Sequence, residues 1–217
     1  MKMLRENIAE YNEQKAKKVP PDILKTMDRA TVTLQERGIA DNSLRSGDRA
    51  PGFTLPNHKG DRLNLSDMLA ESTVVLSFYR GGWCPYCNME LNALQQRVPE
   101  IEAQGARLIA ISPEMPDKSL DTRERHALSF DVLYDQGNQV ADLFGLVFTL
   151  PEVLRPIYEK FGLDIPGYNG DDSFRLPMPA TYIITGSGEI VHDFVDPDYT
   201  RRMEPQEILD RLSSLSG

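Results

Sequence analysis

The sequence predicts an α/β fold, a mixed central sheet flanked by helices, with a helical extension at its N-terminus. Three observations carry this. "TVVLSFY" (Thr73–Tyr79) and "ARLIAIS" (Ala106–Ser112) are β-branched or apolar nearly throughout, as strands buried on both faces are, and each is followed by a segment with helical spacing. "TYIITGSGEIVHDFV" reads as two strands around a Gly-Ser-Gly turn, hence a hairpin. "EPQEILDRLSSL" is an amphipathic helix that closes the chain, with Pro205 near its start. Strand–helix alternation ending in a hairpin and a helix is the signature of a sandwich with a mixed sheet.

Taken in order, residues 1–45 form an arm of two helices. Leu4, Ile8 and Tyr11 make a short stripe, "VPP" (Val19–Pro21) breaks the chain, and Ile23, Met27, Ala30 and Leu34 make a second stripe that stops at Gly38. These stripes need a cover, either the chain's own domain or a second copy in a homodimer. Residues 46–217 form the main domain. After the Thr73–Tyr79 strand, "RGG" is a turn and Pro85 suits a first helical turn. Cys87, Leu91, Leu94, Val98 and Ile101 then line one helix face, with Pro99 kinking or dividing it and Gly105 as a stop. "KSLDTRERHAL" (Lys118–Leu128) reads as a helix, "FDVLYD" (Phe130–Asp135) as a short strand, and "NQVADLFGL" as a helix capped by Asn138. An insertion over about 147–177 is long for a loop. Within it "PEVLRPIYEKFG" could be a helix begun by Pro151 and interrupted by Pro156, and "DIPGYNGDDSF" reads as irregular. Leading straight to Pro179, it should pass near the cysteines, with Tyr168, Phe174 or Arg175 as lid or substrate contacts if they are not simply packed or solvated. "RRMEP" (Arg201–Pro205) reads as a solvated turn.

Composition narrows the function classes. A chain of 217 residues, 40% hydrophobic and 26% charged, is ordinary for a globular protein, and a net charge of -9 repels phosphate backbones and acidic membranes. No apolar run is long enough to span a bilayer, and "MKMLRENIAEYNEQKAKK" lacks the apolar core of a signal peptide, so the expected compartment is the cytoplasm, where thiols stay reduced.

Only two cysteines are present, Cys84 and Cys87, beside the single tryptophan, Trp83. A bridge between them closes almost no loop and would add little stability. A zinc site needs about four ligands, and His58, His126 and His192 are scattered. Redox chemistry remains, because a near-neighbour dithiol cycles between thiols and disulfide. Cys84 falls at a helix N-terminus, where free N–H groups and the dipole favour an anion. Cys87 heads the buried stripe and should be the less exposed. Those arguments make Cys84 the attacking sulfur and Cys87 the resolving one. Arg80 could add positive charge, or be a solvated surface arginine.

The W-C-x-x-C turn, with "LPMPATYII" nearly a hundred residues later, resembles the thioredoxin fold. That resemblance implies a cis-proline at Pro179 facing the dithiol. "GDRAPGFTLPNHKGDRLNLSDML", "ISPEMPDKSL" and "FDVLYDQGNQVADLFGL" are similar to peroxiredoxins of the alkyl hydroperoxide reductase and thiol-specific antioxidant group. The likeness runs from about Gly47 to Leu212. The family pattern P-x-x-x-T-x-x-C places its proline at Arg80, its threonine at Cys84 and its peroxidatic cysteine at Cys87. The family's peroxide-binding arginine falls at Pro179, with Arg175 close by in sequence. The frame thus resembles a peroxiredoxin and the reactive turn a thioredoxin.

This implies an antioxidant thiol peroxidase that reduces hydrogen peroxide or organic hydroperoxides through a Cys84/Cys87 cycle. The family pattern names Cys87 as attacker and the helix terminus names Cys84, and the sequence leaves both open. The alternatives are a thiol-disulfide oxidoreductase with Cys84 as nucleophile, and a non-catalytic dimerisation or binding scaffold. No phosphate loop or dinucleotide fingerprint occurs, so no flavin, nicotinamide or metal cofactor is implied. Reducing equivalents would come from outside, from a thioredoxin, a glutaredoxin or a small thiol.

Overall fold

The computed structural model describes residues 2–215. The arm forms α1 (Leu4–Lys18) and α2 (Pro21–Glu36), separated at Val19–Pro20, where the chain is extended. A small hairpin of β1 (Thr54–Pro56) and β2 (Arg62–Asn64) leads to α3 (Leu65–Glu71), capped by the Asn64 side chain. The core then runs β3 (Thr73–Phe78), α4 (Pro85–Gln95), α5 (Val98–Ala103), β4 (Ala106–Ser112), α6 (Pro116–Arg125) and β5 (Asp131–Tyr134). The helix after the cysteines is divided as Pro99 implies. α4 stops at Gln95, and α5 takes Pro99 into its first turn, where the missing N–H costs no hydrogen bond.

Next come α7 (Gln139–Leu143), β6 (Val147–Thr149), α8 (Arg155–Lys160), α9 (Ile165–Asn169), β7 (Arg175–Pro177), β8 (Ala180–Ile184), β9 (Ile190–Val195) and α10 (Pro205–Leu215). The five-stranded sheet has the order β5-β4-β3-β8-β9, with β3, β4 and β5 parallel and β8 and β9 antiparallel to their neighbours. Alternate residues of β3 serve two different cores. Val74, Leu76 and Phe78 pack with α3, Phe144 and Tyr182, while Val75 and the following Tyr79 pack with α4, α5 and α10. Burial on both faces is what makes the strand read as one continuous apolar run.

Three expectations are corrected. Asn138 does not cap α7: its backbone is left-handed (φ 60°) and its amide donates to the Arg175 carbonyl. The cap is Asp135, whose carboxylate accepts from the backbone N–H of Val140 and Ala141, both at 2.9 Å, because the tight turn before the helix folds it back over the exposed amides. The segment from Asp164 is not irregular throughout. Asp164 accepts from Gly167 N–H to start α9, and Gly170 ends it in the left-handed conformation (φ 72°). All peptide bonds among the described residues are trans, so Pro179 is not the expected cis-proline. The trans form is the ordinary preference of an X-Pro bond. It carries an extended chain from β7 into β8, with Met178 N–H donating to Leu146.

The arm finds its cover within the chain. Leu4, Ile8, Ile23, Met27 and Ala30 join the buried cluster that holds Cys84, Cys87, Leu91 and Leu94. The Glu204 carboxylate accepts from the N–H groups of Leu4 and Arg5 at 3.1 and 2.7 Å, capping α1 from the other end of the chain.

Candidate active site

The two sulfurs sit where β3 gives way to α4. Tyr79 N–H still donates to Ile111, so the chain leaves the sheet only at Arg80. Gly81 then turns with φ 147°, a conformation that favours glycine, and a Cβ on Gly82 would lie 1.8 Å from the Thr122 hydroxyl on α6. Two side chains, the buried Glu114 and the half-buried Asn88, hold both backbone groups of Gly82. Its N–H donates to the Glu114 carboxylate (3.0 Å), and its carbonyl accepts from the Asn88 amide (2.8 Å). Burial pushes Glu114 up to about 7, against the hydrogen bonds from Gly82 and Thr122. Cys84 follows as the N-cap of α4, and its carbonyl accepts the first helical bond from Asn88.

Arg80 is buried and donates from Nη2 to Cys84 Sγ at 3.0 Å and from Nη1 to the Tyr158 hydroxyl at 3.3 Å. Its guanidinium lies 5.0 Å from the Trp83 ring and 4.2 Å from that of Tyr199, a cation held between two aromatic faces. A second arginine stands on the other side. Arg202 donates from Nε to Glu90 at 2.6 Å and from Nη2 to Cys87 Sγ at 3.5 Å, and its side chain and that of Glu90 are only 1% and 3% exposed. Arg202 Nη1 donates to the carbonyls of Tyr199 and Arg201.

These charges separate the two thiols. Burial opposes an anion at Cys84. The hydrogen bond from Cys87, the charges of Arg80 and Arg202 and the Arg80 hydrogen bond outweigh it, holding Cys84 well below the ordinary thiol range. Burial pushes Cys87 well above that range, helped by the hydrogen bond to Cys84 and its charge.

Arg80 and Trp83 are thus brought to the sulfurs, and Arg80 is not the solvated residue it could have been. Arg175 is not brought there. As part of β7 it turns its guanidinium to Asp142 (2.9 Å) in a surface ion pair whose side chains are 39% and 59% exposed. Nor is Cys84 the more exposed cysteine: both are 0% exposed, because the arm and the aromatic rings close over the turn. A cavity of ≈ 280 Å³ lies beside the reactive turn, lined among others by Tyr11, Lys15, Arg80, Trp83, Tyr86 and Tyr158, though by neither cysteine. The insertion does reach this place, but through Tyr158 on α8. Tyr168 offers a carbonyl to Met115 N–H, and Phe174 lies under Arg155.

Arg202, Glu90, Tyr158 and Tyr199 were not singled out from the sequence. Glu90 alone had a readable signal, a carboxylate three residues beyond Cys87 on the apolar side of α4.

Residues 46–193 match the AhpC/TSA family. The chain belongs to that family. It is 32% identical to peroxiredoxin Bcp of Escherichia coli over 105 residues, covering 48% of this chain and 67% of that protein. It is 30% identical to the thiol-disulfide oxidoreductase ResA of Halalkalibacterium halodurans over 161 residues, 73% of this chain and 74% of that one. Among solved structures, peroxidoxin BcpB from Mycobacterium tuberculosis superimposes with a TM-score of 0.62 at 20% identity, over 79% of this chain and 98% of that chain. A peroxiredoxin-like protein from Aquifex aeolicus gives 0.63 at 16% identity, over 80% and 88%. The last two share the fold, a thioredoxin-like sheet with its helices. Family and relatives make this chain an oxidoreductase. Tyr11, Tyr199 and Arg202 lie outside the matched stretch.

Proposed function

We propose that the chain is a thiol peroxidase in which Cys84 attacks a hydroperoxide and Cys87 closes the disulfide. The observation that carries this reading is the 3.0 Å hydrogen bond from Arg80 to a Cys84 sulfur shut away from bulk solvent. A thiolate is the attacking species, and the hydrogen bond from Cys87 together with Arg80 and Arg202 favours that form. Its terminal attack on the hydroperoxide forms an S–O bond and breaks the O–O bond. Sulfur loses two electrons, and the departing alkoxide, or hydroxide from hydrogen peroxide, takes a proton from solvent. Cys87 then attacks the Cys84 sulfenic acid: the S–S bond forms, the S–O bond breaks, and the hydroxyl leaves as water with the proton Cys87 gives up. An external thiol (a thioredoxin, a glutaredoxin or a small thiol) would reduce the disulfide.

Burial favours the smaller substrate. Neither sulfur has exposed surface, so either substrate requires the cover over the turn to open, and a hydroperoxide of a few heavy atoms, held in the cavity beside Arg80 and Trp83, needs a smaller opening than the disulfide of a folded partner. The W-C-P-Y-C turn and the identity with ResA favour disulfide exchange, which requires the arm to move first.

Trp83, 5.0 Å from the Arg80 guanidinium, is a built-in reporter for the test. On rapid mixing of reduced protein with hydrogen peroxide or tert-butyl hydroperoxide, its fluorescence should change far faster than a free thiol oxidises. Cys84→Ser should abolish the response, and Cys87→Ser should leave a sulfenic acid that dimedone traps. Oxidation at the speed of a free thiol, or a response that survives Cys84→Ser and vanishes in Cys87→Ser, overturns the assignment. Insulin reduction without fast peroxide oxidation would establish the second reading.

A further inference from the structure

We propose that Arg202 is a catalytic residue of the resolving step, stabilising the negative charge that develops on Cys87 as it gives up its proton, once peroxide has oxidised Cys84. This rests on the reading above, that Cys84 is attacked first.

The donors of Arg202 are divided among three places. Nε is committed to Glu90, and Nη1 to the carbonyls of Tyr199 and Arg201, which leaves Nη2 aimed at Cys87 Sγ. Arg80, the other cation, is already bonded to Cys84. The two guanidinium groups therefore divide the dithiol between them, one to each sulfur.

Charge gives the division its purpose. With Cys84 as the thiolate that the proposed attack requires, two buried cations, Arg80 and Arg202, face two buried anions, that thiolate and the Glu90 carboxylate, which burial pushes up and its bond to Arg202 pulls down. Attack on peroxide turns Cys84 into a neutral sulfenic acid, so both arginines then face Glu90 alone. An uncompensated buried charge is costly, and the proton on Cys87 is the one whose loss restores neutrality. In the reduced protein Cys87 is held protonated by burial, by the hydrogen bond to Cys84 and by the Cys84 charge. Oxidation removes that charge and leaves burial opposed by Arg202 and Arg80. The groups facing Cys87 are Cys84 and Arg80 from the reactive turn, Tyr79 from the end of β3, and Arg202 from the segment before α10. Glu90 acts on it through Arg202. The S–S bond then forms as Cys87 attacks Cys84, and the hydroxyl leaves as water with the Cys87 proton. No further oxidant or reductant is needed.

Arg202 could serve merely as the partner of Glu90, and the test separates the two roles. Glu90→Gln is compared with the double variant Glu90→Gln/Arg202→Gln, which removes both charges and leaves no orphaned carboxylate. Arg202→Lys keeps the charge. Two phases follow mixing with hydrogen peroxide: oxidation of Cys84 by Trp83 fluorescence, and disulfide formation by quenched-flow mass spectrometry. Loss of a charged hydrogen bond should slow the second phase at least about tenfold more than the first. Sulfinic acid should then accumulate at Cys84, the pH midpoint of the second phase should rise, and Arg202→Lys should recover part of the rate. In the unaltered protein the second phase should keep its rate well below the free-thiol value of about 8.5.

Equal slowing of both phases, or a second-phase midpoint in the unaltered protein at or above the free-thiol value, overturns the role of Arg202 and leaves the peroxidase reading intact. The second criterion holds even where the double variant does not fold. Absence of any fast first phase in the unaltered protein overturns the peroxidase reading, and this assignment with it.

Discussion

At the scale of the residue, the reactive turn depends on one side chain doing three things. Arg80 bonds the Cys84 sulfur, donates to Tyr158 and stacks between Trp83 and Tyr199. A planar guanidinium can do all three at once and an ammonium cannot, so lysine is not a conservative replacement here. Arg80→Met should raise the Cys84 pKa, seen as an upward shift of the thiolate's ultraviolet absorbance with pH, and slow peroxide oxidation at neutral pH by about tenfold or more. Arg80→Lys should restore the charge without the stacking and recover only part of that rate. The sequence brought Arg80, Trp83 and both cysteines into view because they adjoin one another in the chain. Arg202 stayed hidden for a physical reason. A charge in a connecting segment has the same local pattern whether water or a buried carboxylate satisfies it, and its partner, Glu90, lies 112 residues away.

At the scale of the element, Glu114 fastens the turn between β3 and α4 to the end of β4 by accepting the Gly82 N–H. Its carboxyl, at about 7 in the fold, lies above the unfolded value of about 4.3. The folded state therefore binds the proton more tightly. The resulting stability is fully present below about 4.3 and is lost as pH rises through about 7. Glu114→Gln, which keeps an acceptor for Gly82, should flatten urea-unfolding stability across that window and leave the variant the more stable above it. Wild-type stability that is level from pH 4 to 8 relative to the variant would count against this. Elements were legible where burial writes a period into the chain: β3, β4, the hairpin of β8 and β9, and the arm. The cap of α7 was not, because capping depends on where the tight turn before the helix places Asp135. Nothing in the composition of "DQGN" distinguishes that aspartate from Asn138.

At the scale of the whole molecule, the arm closes the site. Tyr11 meets the Tyr86 ring edge-on at 5.2 Å, and the Tyr86 hydroxyl donates to Asn12 at 2.6 Å. Reduced protein at neutral pH should therefore react readily with iodoacetamide and much more slowly with a maleimide carrying a long polyethylene glycol chain. Ile8→Ala, at a cost of about 2–5 kcal/mol in arm packing, should narrow that difference. Equal rates for the two reagents in the unaltered protein would contradict the closure. One short strip of backbone takes part in all of this. Tyr199 stacks on Arg80, Arg202 reaches Cys87, and Glu204 pins the first turn of the arm. A substitution at Tyr199, Arg202 or Glu204 can thus not be interpreted as a local edit. The three share one strip that ties both sulfurs to the clasp of the arm, and only a readout taken at all three places reveals which knot came undone.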